Sequence, residues 1–292
     1  MRWNTAPWSS LLVPVLPVLA LAEDCSLLAT RSRVQHVGPT KIPCKIHQTW
    51  KSHTPPPELR SYMHTWIQMN PQCEHKLWND TEIEVLVKEK SHDFNWMPSI
   101  WNSLQPTERA DFFRYLVLYT EGGYYADLDV TCVAPIAEYQ VPQDVSMLVG
   151  YEYGHRWSEE QRLEVFFARP EQFAKYFLAA APQSPLLQRC LEMLQERFHW
   201  KVQDPVEFGT GLLSDAVHEF LEKQNPQDAL AKENEIRRRF PRTHFLSYPS
   251  GQVYGDDDWK LFILPAGSVN SASQVASDDP DQAGDLMVHR VG

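Results

Sequence analysis

The chain reads as one α/β domain running from about residue 41 to residue 292. Three observations predict this. From Lys41 onward, short strand-like runs alternate with segments whose apolar residues recur at helical spacing. Ala110–Thr120 is apolar almost all round, which a helix sustains only when it is central and buried. No internal repeat or dividing linker interrupts the 292 residues, and 43% hydrophobic with 12% aromatic residues is enough for a sizeable core.

The first 40 residues stand apart. Met1–Ala22 reads as a targeting segment: Arg2 is the only early positive charge, Leu11–Ala22 is apolar, and Ala20-Leu21-Ala22 has the small-x-small form of a signal-peptidase site. About 12 apolar residues fall short of the roughly 20 that span a bilayer, and Pro14 and Pro17 weaken a helix there. Glu23-Asp24 follows directly, so cleavage is expected, with an uncleaved anchor as the alternative. Residues 23–40 form a polar lead-in. Secretory entry permits disulfides among Cys25, Cys44, Cys73, Cys132 and Cys190, whose odd number leaves at least one free or paired between chains. No CxxC or zinc spacing occurs, and connectivity stays open. Asn79-Asp80-Thr81 is a glycan acceptor if its loop is exposed.

The elements then follow in order. Lys45-Ile46-His47-Gln48 is a short strand, ended by Trp50 and the loop Pro55-Pro56-Pro57. In Glu58–Gln68 the residues Leu59, Tyr62, Met63, Trp66 and Ile67 make one apolar stripe, and Asn70-Pro71 ends that helix. His75–Trp78 is a second strand, and Thr81-Glu82-Ile83-Glu84 opens a helix as a capping box. Pro106 suits the first turn of the buried helix and Gly122-Gly123 its stop. Strands are expected at Tyr124–Asp129, Ser146–Tyr151 and Lys175–Ala179, helices at Ser184–Phe198 and Leu212–Glu222. Late strands are expected at Phe245–Tyr248 and Leu261–Leu264, and a Ser/Asp/Gln-rich loop at Ser271–Asp285.

Charge narrows the function. Twenty-seven basic against 38 acidic residues give a net charge of −11, which excludes a general nucleic-acid binder. An anionic ligand therefore needs local help from a metal, an arginine or a helix N-terminus. The chemistry concentrates in Glu108-Arg109-Ala110-Asp111-Phe112-Phe113-Arg114-Tyr115-Leu116 and Gly122-Gly123-Tyr124-Tyr125-Ala126-Asp127-Leu128-Asp129. In an extended strand Tyr125, Asp127 and Asp129 share one face, and Tyr124, Ala126, Leu128 and Val130 the other. Adjacent carboxylates repel, and a divalent cation relieves that repulsion; oxygen ligands suit Mg²⁺ or Mn²⁺. Asp111 and Arg114 share a helix face in an otherwise apolar turn, where charges are costly unless paired or used.

These two segments together resemble the DXD sugar-nucleotide region of glycosyltransferase family 32. Ile42-Pro43-Cys44-Lys45-Ile46-His47-Gln48-Thr49-Trp50 is similar to the family's opening strand, as are Asn70-Pro71 and Leu77-Trp78-Asn79-Asp80 to its first half. The likeness is strong over about 42–136. It continues more weakly through Ala181-Pro182-x-Ser184-Pro185-Leu186-Leu187 and Gly209-Thr210-Gly211, where it is most like fungal α-1,6-mannosyltransferases that initiate N-glycan outer chains, then mannosyltransferases of inositol phosphoceramide.

The resemblance implies a GT-A fold, a nucleotide-sugar-binding α/β domain with a mixed central sheet. It puts Asp127 by the ribose or sugar, Asp129 on a Mn²⁺ or Mg²⁺ ion, and Asp111 and Arg114 on the donor sugar and its phosphates. Tyr125 lines the site and Trp50 lies near the base. It also implies a nucleotide-sugar donor, GDP-mannose, a glycan or glycolipid acceptor, retention of anomeric configuration, and the Golgi lumen or membrane, with secretion as second choice. The family closes with a His followed by Gly-Ser-Trp. His289-Arg290-Val291-Gly292 keeps the His, a further metal ligand by carry-over, without the Ser-Trp; weak metal affinity or low activity is the expectation.

Two other classes compete. Asp127-Leu128-Asp129-Val130-Thr131 fits the Asp-x-Asp-x-Thr strand of haloacid dehalogenase phosphatases, but that motif normally opens its domain and leaves Asp111 and Arg114 unexplained. A secreted, non-catalytic sugar- or metal-binding relative is the other. Elsewhere, His47 reads as hydrogen-bonded core, Asp256-Asp257-Asp258 as a solvated turn, and Trp66, Trp96 and Trp101 as packing. Gly209-Thr210-Gly211 is either a close backbone approach to a ligand or a helix-entry turn.

Overall fold

The computed structural model describes residues 41–139, 141–153, 169, 172–199, 208–224 and 252–264. Met1–Ala22, Cys25, Phe245–Tyr248, Ser271–Asp285 and His289 lie outside the described residues. The strands are β1 (Lys45–Thr49), β2 (Glu74–Trp78), β3 (Gly123–Ala126), β4 (Met147–Val149), β5 (Tyr151–Tyr153), β6 (Gln172–Phe173), β7 (Phe177–Ala180), β8 (Gln252–Gly255) and β9 (Lys260–Ile263). The helices are α1 (Pro57–Met69), α2 (Asp80–Lys90), α3 (Met97–Trp101), α4 (Pro106–Glu121), α5 (Pro185–His199) and α6 (Thr210–Gln224).

Seven strands form a mixed sheet in the order β2-β1-β3-β7-β4-β9-β8. β1 pairs parallel with β2 and β3, and β4 parallel with β9. β7 is antiparallel to both β3 and β4, and β8 to β9. Five strands thus end at the same edge of the sheet, and β7 begins there. In open α/β sheets that carboxyl edge is where ligands bind.

Apolar alternation on the strands feeds two layers. Tyr125, Leu178 and Met147 pack with Phe112 and Phe113 of α4, Leu187 of α5 and Leu213 of α6. Tyr124, Ala126, Phe177 and Leu148 pack on the other face with Trp66. Trp66 anchors α1: its Nε1 donates to the Val130 carbonyl at 2.8 Å and its ring stacks on Phe177 with centroids 5.5 Å apart. The rest of the expected stripe is less covered, since Ile67 is 39% exposed and only Trp66 of α1 is buried.

α4 begins as read, with Pro106 at its start and a capping box between Gln105 and Glu108. Asp111 through Leu118 are all buried. It stops at Gly122 (φ 66°), and Gly123 (φ 100°) begins β3 directly. Both φ values lie where side chains other than glycine's are strained. A Cβ on Gly123 would also stand 2.6 Å from the Lys45 carbonyl. These two glycines lay β3 against β1.

Several expected boundaries move. The box opening α2 is Asn79 with Glu82, not Thr81 with Glu84: Asn79 Oδ1 accepts from Glu82 N, and Glu82 Oε2 from Asn79 N, each at 2.9 Å. Both spacings satisfy the sequence rule, and the earlier one leads straight out of β2. Asn79 is thus a helix cap rather than a loop residue. The strand expected over Ser146–Tyr151 breaks at Gly150 into β4 and β5, and β5 leaves to pair with β6 in a separate two-stranded sheet. α3 and the mostly exposed β8 were not foreseen.

Cys44 and Cys73 form a disulfide just before β1 and β2, and Cys132 and Cys190 are free and buried. Asp256 caps the exposed turn between β8 and β9, its Oδ1 accepting from Asp258 N and Trp259 N at 3.0 Å, which bears out a solvated turn. Among the described residues no helix is long and apolar enough to cross a membrane.

Candidate active site

The site grows from the α4–β3 connection. Asp111 and Arg114 sit one turn apart on the face of α4 that meets the sheet. β3 ends at Ala126, three residues before the end of the strand expected over Tyr124–Asp129. Asp127 N still donates to the Tyr176 carbonyl at 2.8 Å, but Val130 N then donates back to the Asp127 carbonyl at 3.0 Å and closes a turn. Asp127 and Asp129 are therefore presented from a turn at the carboxyl edge, and not side by side on a pleated strand. Alternation survives up to that point: Tyr124 and Ala126 face one layer, Tyr125 the other.

Arg114 organises what surrounds it. Its guanidinium, 3% exposed, donates through NH1 to the Lys175 carbonyl at 2.9 Å and through NH2 to Asp127 Oδ1 at 3.2 Å, and it lies 3.1 Å from Asp111 Oδ1. Tyr125 lies under the guanidinium, 5.1 Å away, and its hydroxyl donates to the same Asp127 Oδ1 at 3.0 Å. Lys175 Nζ donates to both oxygens of Asp111 at 2.9 Å. Two carboxylates and two cations thus interlock, the arrangement that makes buried charge tolerable. Burial alone would lower the Arg114 pKa, but Asp127 and Asp111 outweigh it and hold the guanidinium charged. Burial raises the Asp127 pKa, with Arg114 and Lys175 opposing and Asp129 adding to the rise. Burial and the Asp127 charge raise that of Tyr125.

Neighbouring strands complete the edge. On β1, buried Gln48 donates from Nε2 to the Asp127 carbonyl at 3.4 Å, and Thr49 Oγ1 lies 3.4 Å from the Tyr125 hydroxyl. Trp50 follows β1 at this edge. Its backbone N–H donates to the Trp78 carbonyl at 3.0 Å, and its buried indole N–H has no hydrogen-bond partner among the described residues. Such an orphan donor calls for an explanation, and a ligand is one. Gly209 leads into α6, where its carbonyl accepts from Tyr115 Oη at 3.1 Å. A Cβ there would stand 2.4 Å from Lys175 Nζ and 2.6 Å from Asp111 Oδ2. Gly209-Thr210-Gly211 is thus a helix-entry turn packed against the Lys175–Asp111 pair.

Arg114 contacts Asp111, Tyr125 and Asp127, and Tyr125 contacts Asp127; Asp129 follows in the same turn, and Trp50 comes directly after the adjoining strand β1. Lys175 escaped the sequence reading. Lys175 looked like the first residue of an apolar strand; its one distinguishing sign was a charge opening an otherwise apolar run. His47 is core as expected, Nε2 donating to the Gly122 carbonyl at 3.0 Å while Nδ1 accepts from Trp78 Nε1 at 3.1 Å.

The donor set suits a hard divalent cation. Carboxylate oxygens are the preferred ligands of Mg²⁺ and Mn²⁺, and such ions are commonly held by one or two carboxylates with substrate phosphates supplying others. Asp127 and Asp129 meet that minimum. Among the described residues no group of three or more His, Cys, Asp or Glu is placed to hold a metal without other ligands.

Residues 56–147 match the glycosyltransferase sugar-binding region containing DXD motif. The matched segment is similar to a DXD glycosyltransferase region. It spans α1 through β4 and includes Asp111, Arg114, Tyr125, Asp127 and Asp129. The chain is 25% identical over 272 residues to HOC1 of Saccharomyces cerevisiae, which is named as a glycosyltransferase; the match covers 85% of this chain and 64% of that protein. It is 33% identical over 125 residues to inositol phosphoceramide mannosyltransferase 3 of Schizosaccharomyces pombe, covering 39% of this chain and 34% of that protein. It is 26% identical over 195 residues to the initiation-specific alpha-1,6-mannosyltransferase of Schizosaccharomyces pombe, covering 57% and 46%. The chain spans less than two thirds of the length of each. Among solved structures it is similar to PaToxG glycosyltransferase, with TM-score 0.50 and 16% identity over 72% of this chain and 83% of that one. That likeness concerns the fold: the mixed central sheet with helices on its faces is of the GT-A kind, as the DXD region implied.

Proposed function

We propose that this chain is a metal-dependent mannosyltransferase of the secretory pathway that moves mannose from GDP-mannose onto a glycan, at the step that begins an N-glycan outer chain. One observation carries the reading. A single buried guanidinium, that of Arg114, ties Asp111 and Asp127 together at the carboxyl edge of the sheet, immediately before Asp129.

In this reading Asp129 and Asp127 hold Mn²⁺ or Mg²⁺, with His289 as a further ligand. The cation, when bound, offsets the charge of the diphosphate and stabilises the departing nucleotide. Arg114 and Tyr125 orient Asp127 by occupying one of its oxygens, which leaves Oδ2 for the ligand side. Asp111, charge-balanced by Lys175 and Arg114, accepts from hydroxyls of the sugar. Arg114 adds positive potential near the phosphates in a chain whose net charge of −11 otherwise repels them. Trp50 offers its ring to the base and its indole N–H to the nucleotide. The buried Tyr125 and Ala126 exclude water from the floor of the site, where water in the acceptor's place would give hydrolysis.

A second acceptor, inositol phosphoceramide, is favoured by the higher identity to enzymes named for it, 33% against 26% for the initiation-specific protein, though over a shorter stretch. The assay supplies GDP-mannose and Mn²⁺ with either a mannose-terminated oligosaccharide or inositol phosphoceramide, then repeats with UDP-sugars. Transfer to the oligosaccharide is the expected result. Activity with a UDP-sugar and none with GDP-mannose would refute the donor. Asp129→Ala should abolish Mn²⁺-dependent GDP-mannose binding in calorimetry, and unchanged affinity there would sink the metal site. The compartment is tested by the mature N-terminus: retention of Met1–Ala22 in a cytosolic protein would refute it.

A further inference from the structure

Glu152 has no part in the site described above, yet the topology brings it there. Tyr124 of β3 and Leu148 of β4 both pair with Ala179 of β7, so the two parallel strands reach the carboxyl edge in step. Asp127 follows Tyr124 by three residues and Glu152 follows Leu148 by four. β7 lies between them, so the backbones of β3 and β4 are about 10 Å apart. Lys175 leads into that intervening strand, two residues before it begins. The Glu152 carboxyl feels the charges of Lys175, Arg114 and Asp127.

The carboxylate is also held. Gln172, 3% exposed, donates from Nε2 to Glu152 Oε2 at 2.7 Å. Tyr151 stacks on Phe173 with centroids 4.6 Å apart, fastening β5 to β6. Burial raises the pKa of Glu152, with Gln172, Lys175 and Arg114 opposing. A partly desolvated carboxylate, fixed by a buried amide and close enough to feel the charges around Asp127, is more than a solvated surface group.

We propose that Glu152 contacts the donor sugar, its carboxylate accepting hydrogen bonds from ring hydroxyls of the hexose on the side opposite Asp127. The proposal rests on the reading of the edge as a nucleotide-sugar site. The chemistry suits it. A hexose ring presents hydroxyl donors around its rim, and an ionised carboxylate is acceptor-only. Lys175 and Arg114, donors only, answer phosphate charge but take no hydroxyl proton. A site that fixes a sugar by hydroxyl contacts discriminates strongly against analogues lacking them. Glu152 would thus determine which hexose is carried, while Asp129 and Trp50 address the nucleotide.

The test compares GDP with GDP-mannose, both with Mn²⁺, by calorimetry on the full chain. Glu152→Gln should leave GDP affinity within about twofold of wild type and weaken GDP-mannose tenfold or more. Glu152→Asp keeps the charge but withdraws it by one methylene; it should still weaken GDP-mannose at least threefold with GDP unaffected. A residue that merely balances Lys175 would be restored by aspartate, so wild-type GDP-mannose affinity in Glu152→Asp overturns the proposal. So does wild-type GDP-mannose affinity in Glu152→Gln, or an equal loss of GDP and GDP-mannose. If the glutamine variant does not fold, the aspartate variant carries the test alone. Wild-type protein that binds neither compound refutes the donor site itself, and the Glu152 contact with it.

Discussion

Arg114 answers three groups with one side chain: a carbonyl of residue 175 and the carboxylates of Asp111 and Asp127. A lysine there keeps the charge but lacks the planar fork, and one ammonium on a flexible stem does not reproduce that spread of partners. Arg114→Lys should therefore lower turnover at least tenfold while leaving the far-ultraviolet circular dichroism of the wild type, as steady-state kinetics and spectra will show. Normal turnover would make Arg114 structural. The Asp111–Arg114 and Asp127–Asp129 pairs were legible in the sequence because each is local, one set by helical spacing and the other by two residues of chain. Lys175 and Glu152 were not. Lys175 meets Asp111, and Glu152 comes near the charges around Asp127, only because β7 runs backwards between β3 and β4, and no pattern within either segment encodes that neighbour relation.

At the scale of elements, the helices announce themselves by their ends. Pro57 and Pro106 at starts, the capping box before α4 and Gly122 at its stop give boundaries within a residue or two. Strand ends are less legible, because alternation of side chains continues into a turn after pairing has stopped, which is how Asp127 and Asp129 were assigned to a strand. The Gly122-Gly123 joint should be intolerant. At Gly123 a β-carbon meets the φ of 100° and a carbonyl at 2.6 Å, a backbone obstacle rather than a flexible side chain. Gly123→Ala is expected to cost about 3 kcal/mol or more in urea unfolding. A loss below about 1 kcal/mol would mean that β3 can shift away from β1.

For the molecule as a whole, acid is the sensitive direction. Burial lowers the pKa of His75 from its usual 6.5 to about 4, and burial lowers that of His47 as well. Both rings are neutral when folded: His75 Nε2 lies 2.9 Å from Gln48 Oε1, and His47 is fixed between Trp78 and Gly122. Unfolded imidazoles take up protons below about 6.5, and the folded His75 does so only near 4. The unfolded state therefore binds more protons in that window, so stability is full above pH 6.5 and declines toward pH 4. Thermal melts should show this decline, on the order of 2 kcal/mol from His75 by pH 4.5, and His75→Gln should flatten it. An unchanged slope in the variant would assign the acid sensitivity elsewhere. The position of β7 also bears on how the protein is made. The parallel block β2-β1-β3 is complete once the ribosome has passed residue 126, but its next partner begins at Phe177, 51 residues later. At synthesis rates of about 5–20 residues per second, the outer edge of β3 waits roughly 3–10 s for its neighbour. Through that interval Trp66 also lacks the Phe177 ring it stacks on, and an open strand edge beside uncovered aromatic surface invites pairing with another chain. A nascent chain halted near residue 150 is thus the form most in need of a chaperone.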